Sequence, residues 1–325
     1  TTRLREYVDS HPVRKRSDAG VSVQRWYELM IATDKKFLSF HRDHDVEEYV
    51  ICIMNMVADY YHDKSVGNLV DIVIVRIIYL EKEEEEIDLE INTSGENTLS
   101  SFCVWQMKMN PKDYFHPNHH DLGVLFTRYD ICSADDDSCS LLGLAHMGTA
   151  CTNDKNCCIN EDSGLILGIT TTHEIGHTLS CTHDAPDESG CEAVTEAGDS
   201  TIMNPTVQFE TSAWSPCSRG YITGLFDSQM GECMLDEPKE HTYPLDEMPP
   251  GAFYDATEQC SFLFGSKFVQ FDQGGDKMCQ KLWCKEKDGS NTMSYGSPPA
   301  DGTKCGTDMW CYNKTCVMIG ARPQA

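Results

Sequence analysis

Residues 171–184 read TTHEIGHTLSCTHD, and the fold follows from how they are interpreted. His173, His177 and His183 fall at intervals of four and six, with Glu174 beside the first. On a helix, residues four apart share a face, so His173 and His177 can present two ring nitrogens to one ion. No continuous helix places a residue six further along on that same face. The chain must therefore turn sharply after about Leu179 and carry His183 back. Imidazoles this dense are costly to bury without a partner. Three neutral imidazoles with one open position describe a catalytic zinc site, whereas a structural site is closed by a fourth protein ligand. Glu174 can reach a water on that metal without ligating the ion, which suits a general base. The wider segment SGLILGITTTHEIGHTL starts on Ser163 and Gly164 and carries Leu165, Ile169, Ile175 and Leu179, as a helix would.

The rest of the composition bounds the setting. A chain of 325 residues suits two domains, each with its own core. Asp and Glu number 52 against 26 Lys and Arg, a net charge of −26, so phosphate backbones would repel it and nucleic acid is excluded as a partner. Bound Ca²⁺ would offset part of that charge through oxygen ligands. The longest apolar run, LVDIVIVRIIYL, is broken by Asp71 and Arg76, is too short for a membrane span, and reads as a buried strand. Seventeen cysteines with no C-x₂-C pair point to disulfides and an oxidising compartment, and the odd count leaves at least one thiol over. Sequons at Asn92 and Asn313 fit a secreted glycoprotein, while Pro205 disqualifies Asn204. With neither an initiator Met nor a signal peptide, the residues read as an internal piece of a longer precursor.

Along the chain, Arg14-Lys15-Arg16 closes a pro-segment remnant at 1–16, with the mature chain expected from near Ser17, as in a zymogen. RWYELMIAT reads as a strand, and Asp45 to His62 as a helix, with Val46, Tyr49, Val50, Ile53, Val57 and Tyr60 at helical spacing. A strand at 69–80, a solvated acidic turn in EKEEEEIDLEI, a helix near 98–109 and strands in LGVLFT and LLGLAHMG follow. This alternation predicts an α/β domain, a mixed sheet flanked by long helices, spanning 17–238. Four prolines in EPKEHTYPLDEMPP mark a linker, placed at 239–250. Beyond it, 251–317 holds six cysteines and reads as a small disulfide-stapled module, with a tail at 318–325. His116, His119 and His120 sit in a Pro-containing loop at spacings that match no helix face, and are expected in solvent rather than on a second zinc.

The histidine stretch resembles the metzincin signature H-E-x-x-H-x-x-G-x-x-H, with Ser180 in the glycine position. Serine there should carry backbone strain. STIMNP resembles the Met-turn of that group, with Met203 beneath the metal. AWSPCSRGYITGLFD and GECMLDEP look like the end of an ADAMTS-type reprolysin catalytic domain. PPGAFYDATEQC, KLWC and PPADGTKCGTDMWCYNKTC look like the disintegrin-like module of that family. The likeness covers about 22–317, and Cys157-Cys158 with HEIGHTLSCTHD also resembles secreted metalloproteases of arthropod saliva and venom.

That resemblance implies a five-stranded twisted sheet and zinc held by His173, His177 and His183, with Glu174 as base. It implies one Ca²⁺ on Glu28, Asp121, Asp236 and the Cys233 carbonyl. A second would sit on Asp130 and Glu161 with carbonyls of Ile131, Cys139 and Leu141. Gly143, Leu144 and Ala145 would form a substrate-pairing sheet edge, and the residues around Pro205 to Phe209, Thr206 among them, would wall the pocket after the cut. The implied disulfides are Cys103–Cys157, Cys132–Cys139, Cys151–Cys233, Cys191–Cys217, Cys260–Cys284, Cys279–Cys311 and Cys305–Cys316. Cys52 is then expected as a buried free thiol. Cys158 and Cys181 are both additions to the family pattern and are most simply read as one further bond. The resulting expectation is a secreted, monomeric zinc endopeptidase of extracellular matrix or plasma proteins, its second module a substrate exosite. The competing reading is an adhesive or anticoagulant protein acting through that module, which lacks an RGD.

Overall fold

The computed structural model describes residues 22–82, 88–133, 139–187, 189–195, 198–207, 211–238, 243, 248–289, 291–294 and 296–319. The stretch read as a pro-segment with Arg14-Lys15-Arg16, part of the expected acidic turn, Phe209 and most of the stretches read as linker and tail lie outside the described residues.

The larger unit is built on β1 (Arg25–Thr33), β2 (Val70–Tyr79), β3 (Leu122–Thr127), β4 (Gly143–Ala145) and β5 (Cys157–Glu161), ordered β2-β1-β3-β5-β4. All neighbours pair in parallel except β4, which runs antiparallel on β5 with Leu144 opposite Ile159. Parallel strands need crossovers, and the crossing helices cover both faces. β3 is accordingly buried along its whole length. Leu122, Val124 and Phe126 point to one core cluster, and Leu125 to the other.

Short α1 (Lys35–Phe40) leads into α2 (Val46–His62), whose Asp45 cap accepts from Glu48 N at 3.1 Å. Its inward stripe of Tyr49, Val50, Ile53, Val57 and Tyr61 shares a core with α4 (Leu167–Thr178). On the opposite face, α3 (Gly95–Met109) buries Phe102, Cys103 and Trp105. It starts earlier than the apolar spacing predicts because Ser94 caps it. The LLGLAHMG stretch pairs only over 143–145. Beyond that the backbone turns to the end of α4, where Gly148 N donates to His177 O (2.9 Å) and Ala150 N to Thr178 O (3.0 Å).

After β6 (Ser200–Thr201) and β7 (Thr211–Ala213), α5 (Pro216–Asp227) closes the unit, capped by Ser215 with Pro216 in its first turn. The C-terminal module contains α6 (Pro250–Phe253), α7 (Ala256–Phe264) and α8 (Gly275–Gln280), with a small core of Ala256, Cys260, Met278, Leu282 and Cys284. Two three-stranded sheets complete it, one from Phe268–Gln270, Cys284–Glu286 and Thr292–Met293, the other from Lys304–Gly306, Met309–Tyr312 and Thr315–Met318. Phe262 of α7 is an exception: it is fully buried in the core of the larger unit.

Two expectations are corrected. Cys158 and Cys181 are separate buried thiols, not a disulfide. Cys158 Sγ lies in the sheet, accepting from Asn160 Nδ2 at 3.7 Å, whereas Cys181 Sγ is directed at Ser218 O of α5, also 3.7 Å away. Each sulfur has its own neighbour on a different element. His120 is also not a solvated loop residue. It is buried, its Nε2 meets Gln106 Oε1 at 2.8 Å, and burial pushes its pKa down to about 3.

Candidate active site

Every residue of α4 except His177 is buried, so the helix is wedged into the core and small residues mark its tightest contacts. A Cβ built on Gly168 would lie 2.9 Å from Met56 Cβ, and one on Gly176 would lie 2.7 Å from Met203 Sδ. The helix ends where Ser180 N returns to His177 O (2.9 Å) and Cys181 N to Gly176 O (3.0 Å). Ser180 adopts φ 73°, the left-handed conformation that reverses the chain and brings His183 back.

His183 Nε2 then lies 3.2 Å from both His173 Nε2 and His177 Nε2. His173 Nδ1 is 2.7 Å from Ile202 O, and His177 Nδ1 is 2.7 Å from Cys181 O. A carbonyl only accepts, so the protons of His173 and His177 sit on Nδ1 and their Nε2 lone pairs face inward. Burial and then the His177 ring push His173 down to about 3, and burial, opposed by the Cys181 carbonyl, pushes His177 to about 4, which favours neutral rings. The inward lone pairs of His173 and His177, with His183 Nε2 at contact distance from both, fit a cation. Three imidazole donors with a fourth direction open suit Zn²⁺.

Glu174 is 5% exposed, and burial alone pushes its pKa up to about 8. A dication held by the adjacent rings would favour the ionised form. Its carboxylate lies against Gly143 of β4. Leu144 and Ala145 are half-buried on the sheet's outermost strand, and Pro205 and Thr206 are exposed just after Met203. Met203 is fully buried, and its neighbour Ile202 supplies the carbonyl that orients His173.

The distant carboxylates also assemble. Asp121 and Glu28 exchange contacts, Asp121 N to Glu28 O at 2.8 Å and Glu28 N to Asp121 Oδ2 at 3.2 Å. Burial and Asp236 raise the Glu28 pKa to about 7, and burial and Glu28 raise Asp121 well above its usual range. Tyr114 OH donates to Cys233 O at 2.8 Å and reaches Asp236 Oδ1 at 3.4 Å, which ties the same cluster together. At the opposite end of β3, Glu161 Oε2 accepts from Ile131 N at 2.9 Å. Burial, opposed by that bond and reinforced by Asp130, raises Glu161 to about 7. Cys139 and Leu141 lie in the adjoining loop, closed by Cys132–Cys139. The other bridges join Cys103 to Cys157, Cys151 to Cys233, Cys191 to Cys217, Cys260 to Cys284, Cys279 to Cys311 and Cys305 to Cys316.

Sequence reasoning missed the roles of Asp184 and Tyr114. Asp184 is fully buried, accepting from Thr201 Oγ1 (2.8 Å) and Ser215 Oγ (2.6 Å) while its N–H donates to Met203 O (2.7 Å). It thereby pins the residue after His183 to the Met203 turn and to the start of α5. Its position beside His183 was visible in the sequence, but its partners at 201, 203 and 215 were not.

Residues 23–215 match the family model for metallo-peptidase family M12, and residues 250–317 match the model for ADAMTS cysteine-rich domain 2. The chain is 40% identical over 315 residues to human "A disintegrin and metalloproteinase with thrombospondin motifs 7", covering 96% of this chain and 18% of that protein. It is also 40% identical over 314 residues to the mouse motifs 12 protein, covering 96% and 19%. The human motifs 20 protein matches at 40% over 301 residues, covering 91% and 15%. The chain thus spans about a fifth of the length of the curated relatives it matches. No helix among the described residues is long and apolar enough to cross a membrane.

Proposed function

Since the chain belongs to metallo-peptidase family M12, its catalytic unit joined to an ADAMTS cysteine-rich domain, we propose that it is a secreted zinc endopeptidase of extracellular proteins. One observation carries the reading: three imidazole nitrogens converge beside a buried glutamate. His173, His177 and His183 would hold Zn²⁺, which when bound polarises a scissile carbonyl and makes its water acidic near neutral pH. Glu174 takes the water's proton and passes it to the leaving amine. β4 offers its outer edge for strand pairing with an extended substrate, while Pro205 and Thr206 wall the pocket after the cut. Asp184 and the Ile202 carbonyl hold the ligand segments in register.

Glu28, Asp121, Asp236 and the Cys233 carbonyl form an all-oxygen set for one Ca²⁺, and Asp130 and Glu161 with the loop of Ile131, Cys139 and Leu141 form another. Buried carboxylates raised in pKa by one another support both assignments. Seven disulfides support an oxidising, extracellular setting. Asn313 is exposed at a turn and suits glycosylation, as does Asn92 ahead of α3. A cavity of about 780 Å³ lies between the unit and the module, with Asp59, Asp63, Asp199 and Asp301 around apolar Leu165 and Ile169.

The test is cleavage of a peptide library and of fibrinogen by the wild type, with and without a chelator, beside Glu174→Ala. Cleavage by the wild type alone, lost on chelation, supports the reading. Equal cleavage by Glu174→Ala, or none by zinc-loaded wild type, overturns it.

A further inference from the structure

Just ahead of α4 lies a carboxylate with no direct part in the chemistry above. Asp162 follows β5, and its side chain is fully buried. Four donors meet it. Tyr49 OH (2.8 Å) and Gly164 N (3.1 Å) reach Oδ1, while His41 Nε2 (2.7 Å) and Arg128 NH1 (2.8 Å) reach Oδ2. A buried carboxylate is tolerated when its lone pairs are used and its charge is matched, and both conditions hold.

The residues so held lead directly into the active-site helix. Gly164 sits at φ 84°, and its carbonyl accepts from Leu167 N, the first residue of α4, at 2.9 Å. α4 has no side-chain cap of its own, and the carboxylate's hold on Gly164 N lies three residues before its first turn.

Arg128 has a second arm. NH2 donates to the carbonyl of Phe262 at 3.0 Å, and the guanidinium lies 3.6 Å over the Phe40 ring. Phe262 belongs to α7 of the cysteine-rich module, yet its ring is fully buried against Tyr49 (4.9 Å) and His44 (5.0 Å) of the catalytic unit. Next to it, a Cβ on Gly164 would meet Leu263 Cδ2 at 3.2 Å and Phe262 Cβ at 3.5 Å, so the glycine lets α7 approach. One guanidinium thus joins the module's backbone to the carboxylate that holds the start of α4.

We propose that Arg128 and Asp162 are positioning residues that make docking of α7 a condition for the working placement of α4. The module then affects the chemistry through the protein, for every substrate, in addition to any surface it offers to large ones. The inference rests on the peptidase reading, since α4 carries His173, Glu174 and His177.

Arg128→Lys in the full 325-residue chain is the test, because an ammonium keeps the charge beside Asp162 but lacks the planar fork that serves two acceptors at once. Hydrogen exchange of residues 163–172 should quicken about tenfold while α3, on the far face of the sheet, is unchanged. On a short peptide substrate, kcat should fall about tenfold with KM within twofold. Unchanged exchange at 163–172, an equal rise in α3, or an unchanged kcat overturns the proposal. If the wild type cleaves nothing, the peptidase reading falls, and the exchange comparison alone decides the coupling. Should Arg128→Lys not fold, Phe262→Leu keeps the carbonyl and an apolar side chain, and the same outcomes apply to it.

Discussion

Gly143 lies so close to Glu174 that a Cβ on the glycine would sit 2.6 Å from Glu174 Cγ and 2.7 Å from Oε1. Any side chain on that strand position must displace the carboxylate. Gly143→Ala is therefore expected to cut kcat/KM about 10- to 100-fold, the scale for misplacing a catalytic group by about 1 Å. Overpacking should cost about 1–3 kcal/mol of stability. Steady-state kinetics with zinc analysis checks this, since metal content should stay at the wild-type level.

Ser180 occupies a left-handed position at φ 73° that glycine adopts freely. That conformation costs a non-glycine residue roughly 1–2 kcal/mol, partly offset by the extra chain entropy glycine loses on folding. Ser180→Gly should raise stability by about 0.5–1 kcal/mol, a Tm rise of roughly 1–4 °C. Thermal unfolding at fixed zinc measures it, and a lower Tm would mean that the serine hydroxyl matters more than the backbone.

Glu28 and Asp121 have folded-state pKa values above their ordinary ones, Glu28 at about 7. Between about pH 4.5 and 7 the folded state holds protons that the unfolded state has released, so stability should fall as pH rises through that window. Bound Ca²⁺ would use the ionised carboxylates and remove the decline. At about 100 times its Kd the ion should add about 2.7 kcal/mol near neutral pH. Melting curves at pH 5 and 7.5, in zinc buffer with and without millimolar Ca²⁺, provide the check. A Ca²⁺-independent Tm would mean the site is misassigned.

Cys52, Cys158 and Cys181 are buried free thiols, and burial pushes Cys52 up to about 12 and the other two higher. The thiolate is the reactive form, so all three should resist alkylation in the native chain. In denaturant without reductant, exactly those three should label, with the seven bridges recovered intact on peptide mapping. A Cys158–Cys181 linked peptide would contradict the structure.

The convergence of the three histidines was largely legible in the sequence because it is local. Helical spacing puts His173 and His177 on one face, and a residue six further on can join them only through a reversal. Long elements were legible for the same reason: the strand at 25–33 and the helix through 46–62 each carry many residues of one periodicity. Short β5 was not, since the five residues CCINE offer too little pattern, and its neighbour β4 shrank to three residues because the chain beyond is drawn to α4.

What the sequence by itself determined is the local inventory: three histidines and a glutamate at a spacing that brings them together, and cysteines that staple the chain. Tertiary structure decided everything that depends on side chains meeting across long separations. Cys158 and Cys181 could be paired on paper, but the fold gives each sulfur its own neighbour, Asn160 and Ser218 O. His120 looked solvated, but Gln106 and the sheet bury it. Asp162 was one acid among 52 acidic residues until the fold placed Tyr49, His41 and Arg128 around it. Spacing along a chain sets local geometry through the backbone's few allowed conformations, whereas contacts between residues 34 to 134 positions apart exist only once the core has packed.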